Sequence, residues 1–399
     1  MKRHHIQFLK IFSGIILLVT VVISGSGSAA ITTQATSGDD NNSRKNISRS
    51  SIDTLSGDQE IFWTKELMLS AEPYPFEIPN ELPEFSLIPS ISNGNQKIIP
   101  SSPPKIFNQD LSIIAETLDL SSSNTNGYEY PPPFVRYQNF DIEQEVPIPN
   151  DNYSYYPFPY STVGYLYFLQ DGYPFRCSAA SIGNNAIWTA GHCIHKGDGD
   201  LDSEGNIVDQ GTWSTNVLFI PGYQPEDFPN YDYGSWEAVN LWISPEWFDY
   251  ADLRYDMGGA ILQKWDNQKI SEVVGNLGFA YNLNGSQHWM NIGYPSAAPF
   301  DGSSQQICAG SFAYEDSGMD DPSTDLDPVP VAMGCDMTQG SSGGPWILNI
   351  SGNLGQTNLL NGNNSYRYTF HPKELFSPYF GNAAFSLYDD LITSTSTNK

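Results

Sequence analysis

A serine enclosed by glycines, in the run QGSSGGPW (339–346), is the first residue whose setting points to chemistry. Glycines around a serine are typical of a backbone that turns sharply, or of main-chain N–H groups that come close to a carbonyl oxygen. A serine hydroxyl is a weak nucleophile until a neighbouring base takes its proton. The same composition also fits an inert Gly/Ser-rich loop, so a base and a partner for that base must decide between the two.

His192 is the candidate base. It stands directly before Cys193, after the apolar run AIWTA. A histidine beside a half-cystine at a strand end is held firmly, and a general base needs that rigidity to stay within hydrogen-bond reach of a nucleophile. Asp256 is the candidate orienting carboxylate because it precedes the apolar run GGAIL, and Asp252 is its competitor.

The order His192, Asp256, Ser342 excludes one class of enzyme. The motif GSSGG also fits the G-x-S-x-G turn of α/β-hydrolases, whose catalytic residues follow the order Ser, Asp or Glu, His. After Ser342 the only histidine is His371, and no Asp or Glu lies between the two. The chain that remains is also too short to complete that fold.

TAGHC around His192 and GSSGGP around Ser342 resemble the two signatures of chymotrypsin/trypsin-like serine peptidases, and Asp256 lies between them in that family's order. The runs NVLFIPGY (216–223), YGSW (233–236) and CDMTQGSSGGPW (335–346) resemble secreted microbial members near the glutamyl-endopeptidase branch. The resemblance covers roughly residues 156–399. It implies an all-β fold of two antiparallel six-stranded β-barrels, with the active site in the cleft between them.

The resemblance also implies a role for each residue. Ser342 attacks the scissile carbonyl, His192 takes its proton, and Asp256 fixes the tautomer of the imidazole and stabilises its charged form. The N–H groups of Gly340 and Ser342 form the oxyanion hole.

Ser341 departs from the trypsin-like animal enzymes, which carry an aspartate before the nucleophile to pair with the new N-terminal amine after activation. A serine cannot make that ion pair. We therefore expect a different activation, in which removal of the chain up to about residues 150–160 exposes the active form.

Two residues favour substrates with a basic side chain. Asp336 lies where trypsin carries the aspartate that pairs with Arg or Lys, and Gln339 lies where trypsin has a glutamine. A buried carboxylate at the floor of a pocket selects a cation because an unpaired charge there is costly. Thr338 replaces the half-cystine that shapes trypsin's pocket, so the local backbone is expected to differ.

A preference for glutamate is the alternative. Glutamate-specific relatives carry a histidine before a serine on a later strand of the pocket. Here that serine is Ser365, and Asn364 replaces the histidine, which weakens the glutamate interpretation. Arg367, two residues further on, keeps it open.

The elements that must position these residues are short strands. From about residue 156 the chain shows short β-type runs separated by turn residues, and SIG-NN-AIW predicts a hairpin at Asn184–Asn185. Helical periodicity is convincing only in the C-terminal run PYFGNAAFSLYDDLI. This pattern favours an all-β sandwich or a pair of barrels, followed by a C-terminal helix.

The N-terminal part of the chain indicates export. Residues 1–30 combine Lys2 and Arg3, an apolar run and the small-residue stretch GSGSAA, as a secretory signal does, and an uncleaved N-terminal anchor is the alternative. Residues 31–155 are rich in Ser, Asn and Pro, and we interpret them as a propeptide or linker.

The cysteines and the charge fit an exported protein. Four cysteines, Cys177, Cys193, Cys308 and Cys335, predict two disulfides, and the local pairings are Cys177–Cys193 and Cys308–Cys335, although three pairings are possible. The net charge of −27 argues against binding to nucleic acid.

A calcium site is a weak candidate. Asp198, Asp200 and Asp202 are spaced like the oxygen ligands of a calcium loop, with Asp209 at the twelfth position. Ser203 replaces the required glycine, so an acidic surface loop is the competing interpretation. No other cofactor is expected.

These observations predict a secreted, monomeric serine endopeptidase that acts on proteins or peptides and binds no membrane after its signal is removed. The rival from another class is a catalytically silent relative that serves as an extracellular binding or adhesion module.

Overall fold

The structure is a computed structural model that describes residues 45–50, 62–75, 77–78, 84–89, 94–105, 134–136, 156–197, 199–201, 207–229, 231–265, 267–319, 329–350 and 357–397. The signal sequence over residues 1–30 lies outside the described residues. Within those residues, no helix has the length and apolar character needed to cross a membrane.

The N-terminal region contributes short strands at its described positions. They are β1 (Ile47–Ser50), β2 (Glu72–Pro73), β3 (Glu77–Ile78), β4 (Phe85–Ser86), β5 (Lys97–Ile99) and β6 (Phe134–Arg136).

The first half of the domain is a closed barrel with a small hairpin beside it. Its strands are β7 (Val163–Gln170), β8 (Tyr173–Gly183), β9 (Ala186–Thr189), β10 (Gly199–Leu201), β11 (Ile207–Gln210), β12 (Thr215–Pro221), β13 (Trp236–Ile243) and β14 (Gly258–Leu262). The barrel order is β13-β12-β7-β8-β9-β14, all antiparallel, and β14 pairs with β13 to close it. The predicted hairpin is confirmed, because Asn184 adopts φ 49° between β8 and β9.

The second half is a sheet. Its strands are β15 (Gly278–Tyr281), β16 (His288–Gly293), β17 (Gln306–Asp316), β18 (Val331–Gly334), β19 (Pro345–Leu348), β20 (Leu359–Asn363), β21 (Arg367–Tyr368) and β22 (Glu374–Ser377). The strand order in the sheet is β22-β18-β17-β16-β19-β20-β15-β5, and β5 of the N-terminal region forms one end. Strand β21 is not part of this sheet and pairs with β3. The mostly β architecture predicted from the sequence is confirmed.

The helices of the described residues are few. They are α1 (Lys65–Ser70), α2 (Pro245–Tyr250), α3 (Ile270–Val273) and α4 (Asn382–Thr397). The predicted C-terminal helix is therefore confirmed. Helix α4 lies against β14 of the barrel and β15 of the sheet, and Phe385 stacks on Tyr281 with ring centroids 4.4 Å apart.

Strand β7 shows how the sequence builds a core on both sides. Side chains alternate between the two faces of a strand. Leu166 and Phe168 join the cluster inside the barrel. Tyr165 and Tyr167 join a cluster that also contains Ile292 and other residues of the second half. This strand is therefore apolar on both faces, and it ties the barrel to the sheet.

The described parts of the N-terminal region pair with the domain. Strand β1 pairs with β13, β2 with β8, and β5 with β15, while β4 and β6 pair with β17. Trp63 and Met68 are each 4% exposed and belong to a core cluster, which the polar composition of this region did not predict. Its removal as a propeptide stays a prediction.

Candidate active site

His192 and Asp256 are joined directly. His192 sits in a 3₁₀ turn, Gly191–Cys193, at the end of β9, and Asp256 lies two residues before β14, which pairs with β9. The two oxygens of Asp256 accept hydrogen bonds of 2.8 Å each, one from the backbone N–H of His192 and one from its Nδ1. His192 is 1% exposed and Asp256 is fully buried, so the imidazole has a fixed orientation.

Ser365 completes the surroundings of the carboxylate. Its hydroxyl donates to Oδ2 of Asp256 at 2.6 Å. A buried carboxylate is costly unless its lone pairs are satisfied. Here three donors, two from His192 and one from Ser365, surround Asp256.

Ser342 reaches the same cleft from the second half, on a turn that only glycine fits. Gly340 has φ +95° and Gly343 has φ +79°. A Cβ at Gly340 would lie 2.4 Å from the hydroxyl of Ser296, and one at Gly343 would lie 2.0 Å from the hydroxyl of Thr189 in β9. The glycines therefore let the serine loop approach the barrel strand that leads to His192.

The main chain of Ser342 contacts the barrel. Its carbonyl accepts a hydrogen bond of 2.7 Å from the N–H of Ser178 in β8 and lies 3.9 Å from the sulfur of Cys193. The hydroxyl of Ser178 donates to the carbonyl of Gly340 at 3.0 Å. These bonds hold the serine loop beside the disulfide that follows His192. The backbone of Ser342 is thus held against the barrel, next to the residue that follows His192.

Buried asparagines support this loop, a role that their sequence pattern did not predict. The amide nitrogen of Asn364 donates to the carbonyl of Ser341 at 2.9 Å, and its oxygen accepts from Trp346 at 2.8 Å and from Asn291. Asn364 is 1% exposed. The motif NGNNS before the pocket strand was the only sequence signal for this network.

Ser341 is satisfied inside the loop. Its hydroxyl donates to the carbonyl of Thr338 at 2.8 Å. The hydroxyl of Thr338 in turn donates to the carbonyl of Ala297 at 2.6 Å, so hydrogen bonds connect the segments at this position, where trypsin has a half-cystine. The loop is thus held by neutral groups and needs no ion pair.

The predicted specificity residues lie in different surroundings. A small pocket that includes Ser342 is lined by Gln339, Ser365 and Arg367, among other residues. Asp336 is half-buried, and among the described residues it does not line this pocket. The preference for basic side chains stays a prediction.

Both predicted disulfides are confirmed. The sulfurs of Cys177 and Cys193 are 2.06 Å apart, and those of Cys308 and Cys335 are 2.05 Å apart. The first links β8 to the turn that carries His192. The second links β17 to the segment that leads to the serine loop.

The calcium candidates are only partly described. Asp200 and Asp209 are partners in the β10–β11 hairpin, whereas Asp198 and Asp202 lie outside the described residues. Within the described part of the chain, the one cluster of potential metal ligands is Cys177, His192 and Cys193. These residues are the Cys177–Cys193 disulfide and the histidine bound to Asp256, so the cluster coincides with the candidate active site and is not a separate metal-site candidate.

This chain is similar to serine proteases of known structure. No family model and no curated protein matches the chain. Among solved structures, the thermostable serine protease AL20 from an extremophilic microorganism is 30% identical, with a TM-score of 0.49, over 61% of this chain and 100% of its own. Protease Anisep from Arthrobacter nicotinovorans is 28% identical, with a TM-score of 0.48, over 59% of this chain and 97% of its own. A Glu endopeptidase in complex with MPD is 16% identical, with a TM-score of 0.42, over 60% of this chain and 95% of its own.

The identity of 30% over the whole length of protease AL20 shows the family. The chain belongs to the chymotrypsin-like serine proteases. The resemblance stated from the two sequence signatures is confirmed.

Proposed function

We propose that the protein is a secreted serine endopeptidase that hydrolyses peptide bonds through His192, Asp256 and Ser342, by way of an acyl-enzyme. The observation that carries the proposal is the buried carboxylate of Asp256, which accepts two 2.8 Å hydrogen bonds from His192. A binding module does not require a buried, oriented imidazole beside a serine on a glycine turn.

The hydrogen bonds support a role for each group in the proposed mechanism. Nδ1 of His192 is bound to Asp256, which leaves Nε2 to act as the base. Nε2 takes the proton of the Ser342 hydroxyl as the oxygen of Ser342 attacks the scissile carbonyl. The imidazolium then gives this proton to the leaving amine as the C–N bond breaks. A water molecule, activated by the same nitrogen, hydrolyses the ester of Ser342 and restores the free serine.

Charge stabilisation has two parts. The negative charge of Asp256 stabilises the imidazolium, and burial of both groups strengthens that attraction. The developing oxyanion is stabilised by the N–H groups of Gly340 and Ser342. The φ of +95° at Gly340 orients the first of these groups.

The residue before Ser342 bears on how the enzyme is activated. Since Ser341 is uncharged and its hydroxyl is bound to Thr338, it cannot form an ion pair with an N-terminal amine, and we propose that cleavage acts by uncovering the cleft. Mass spectrometry of active protein from the culture medium should find a chain that starts near residues 150–160. A full-length active species would contradict this activation.

Labelling with a fluorophosphonate probe tests the catalytic proposal. Protein purified from the medium should be labelled at Ser342, Ser342→Ala should not be labelled, and the matched control Ser341→Ala should be. The absence of labelling in folded, processed protein would overturn the proposal in favour of a silent binding module. Recovery of the processed chain from the medium tests secretion, which the two disulfides support.

A further inference from the structure

One part of the N-terminal region lies across the cleft. This cleft segment, residues 72–75 and 77–78, pairs through β2 with Phe175 and Arg176 of β8 and through β3 with Arg367 and Tyr368 of β21. It therefore contacts the barrel at one end and the second half of the domain at the other. Tyr74 lies between these two anchors.

Tyr74 covers the imidazole of His192. The two rings have centroids 5.1 Å apart and an interplanar angle of 30°. The hydroxyl of Tyr74 donates to Gln170 at 2.7 Å, and the side chain of Gln170 donates to the carbonyl of His192 at 3.3 Å. The cleft segment thus lies against the imidazole that the proposed mechanism uses as its base.

Three residues further along, the carboxylate of Glu77 is bound by Arg367. Nε of Arg367 donates to Oε1 of Glu77 at 2.8 Å, and Nη2 contacts the same oxygen. The side chains are 13% exposed for Arg367 and 27% for Glu77, so water screens this pair less than it screens a surface pair. Arg367 also lines the pocket beside Ser342.

The strand that carries Arg367 is fixed from behind. The hydroxyls of Tyr366 and Tyr368 each donate to Oδ2 of Asp316 at 2.7 Å. Alternate residues of a strand point to opposite faces. Because Tyr366 and Tyr368 both bind Asp316 on one face, Arg367 between them points to the other face. Asp316 is thus a positioning residue for the arginine.

We infer that Arg367 is a specificity-determining residue that selects substrates with an acidic side chain beside the scissile bond, and that Glu77 takes the place of that side chain in the uncleaved chain. The inference rests on the proposed peptidase function. An arginine that is mostly shielded from water needs an anionic partner once Glu77 has left. Because the chain has 45 acidic and 18 basic residues, its overall field repels an acidic substrate, so attraction must come from a local cation.

The test uses pairs of internally quenched peptides that differ only by Glu or Gln at one position, moved through the three residues before the scissile bond. At one of these positions the parent enzyme should cleave the Glu peptide with a kcat/KM roughly 10- to 100-fold above that of the Gln peptide. Arg367→Gln should bring this ratio close to one, and Arg367→Glu should favour a Lys peptide instead. The matched control is Lys373→Gln, which removes an exposed cation next to β22 and should keep the parent ratio.

Each result has a separate meaning. Normal fluorophosphonate labelling with a Glu-to-Gln ratio near one, or a parent preference for Lys and Arg peptides that Arg367→Gln does not change, would overturn the inference and leave the peptidase intact. Loss of labelling in the parent would overturn the proposed function and the inference with it.

A second variant keeps Arg367 in place if its substitution prevents folding. In Ser342→Ala protein from which the N-terminal region has been cleaved, the Glu peptide should bind about 10-fold more tightly than the Gln peptide, measured by fluorescence anisotropy. Equal binding of the two peptides to this folded, cleaved protein would contradict the inference.

Discussion

The two sides of the cleft are built in different ways. The barrel side holds a charged pair, His192 and Asp256, that is almost completely buried. The serine side is held by neutral groups, namely glycine turns and the amides of Asn364 and its neighbours. The barrel side closes on itself through β13 and β14, whereas the pocket strand β21 has only two residues.

The difference follows from what each side must do. A proton acceptor has to keep one orientation through the reaction, and burial of Asp256 with three donors provides that. The serine side has to admit a peptide and an oxyanion, so its N–H groups must face the cleft while the loop is anchored from behind. Electrostatics therefore dominates the barrel side, and backbone shape dominates the serine side.

The largest expected effect lies on the barrel side. Asp256→Asn should lower kcat by about 10,000-fold, because an amide favours the wrong tautomer of His192. The matched control is Asp252→Asn, which removes the competing carboxylate and its ion pair with Arg254. Steady-state kinetics on one peptide should give Asp252→Asn a kcat close to that of the parent enzyme. A similar loss in both variants would contradict the assignment of Asp256.

On the serine side, Gly340→Ala should lower kcat by roughly 100- to 1,000-fold. The new Cβ would lie 2.4 Å from the hydroxyl of Ser296 and 2.9 Å from the carbonyl of Tyr294, so the N–H of residue 340 must move. Gly172→Ala is the control, because Gly172 also has a positive φ, of +81°, but no atom within 4 Å of the added Cβ. An equal fall of kcat in both variants would indicate general strain and not loss of the oxyanion hole.

Ser365→Ala tests the contact between the two sides. It removes the 2.6 Å hydrogen bond to Asp256, and we expect kcat to fall about 10-fold. Ser181→Ala removes a comparable buried bond, of 2.8 Å to the carbonyl of Gly275, and should reduce the free energy of unfolding by about 1 kcal/mol with little change in kcat. If Ser365→Ala, like Ser181→Ala, lowers only the free energy of unfolding and leaves kcat unchanged, Ser365 has no role in orienting the carboxylate.

The prediction that leaves catalysis near neutral pH unchanged concerns the stability of helix α4, which contacts both halves. Burial raises the pKa of Tyr388 to about 12. The neutral phenol is favoured in the fold, so its stabilisation is complete below pH 10 and is lost as the pH rises towards 12. Between pH 10 and 12 the free energy of unfolding of the parent should therefore fall more steeply than that of Tyr388→Phe. The difference should reach up to about 3 kcal/mol, since one pKa unit corresponds to about 1.4 kcal/mol. Urea titrations across this pH range would measure it, and parallel curves for both proteins would contradict it.

Several features could be predicted because their signals are local. The hairpin at Asn184, helix α4 and the disulfides between cysteines 16 and 27 residues apart all depend on short stretches of chain. The pairing of His192 with Asp256 was predicted from the order of the two family signatures and from the apolar strand that follows Asp256. Each of these inferences needed residue types and spacing, and no knowledge of packing.

Other contacts had no local signal. Ser365 was predicted as a pocket residue, and its hydroxyl binds Asp256 from 109 positions away. The N-terminal region was predicted to be a polar propeptide or linker, yet Tyr74 lies on His192. A composition can report how much apolar surface a segment offers, but it cannot report which groove of the domain receives it.

The sequence by itself determined the family and indicated the kind of chemistry, because a candidate nucleophile, base, carboxylate and glycine turns are properties of residue type and order. Only the tertiary structure decided which groups meet: the asparagines behind the serine loop, Asp316 behind β21, and Glu77 against Arg367 across 290 residues. The physical reason is that such contacts depend on how the strands pack, and the packing is set by the summed burial of the whole chain and not by the residues in contact.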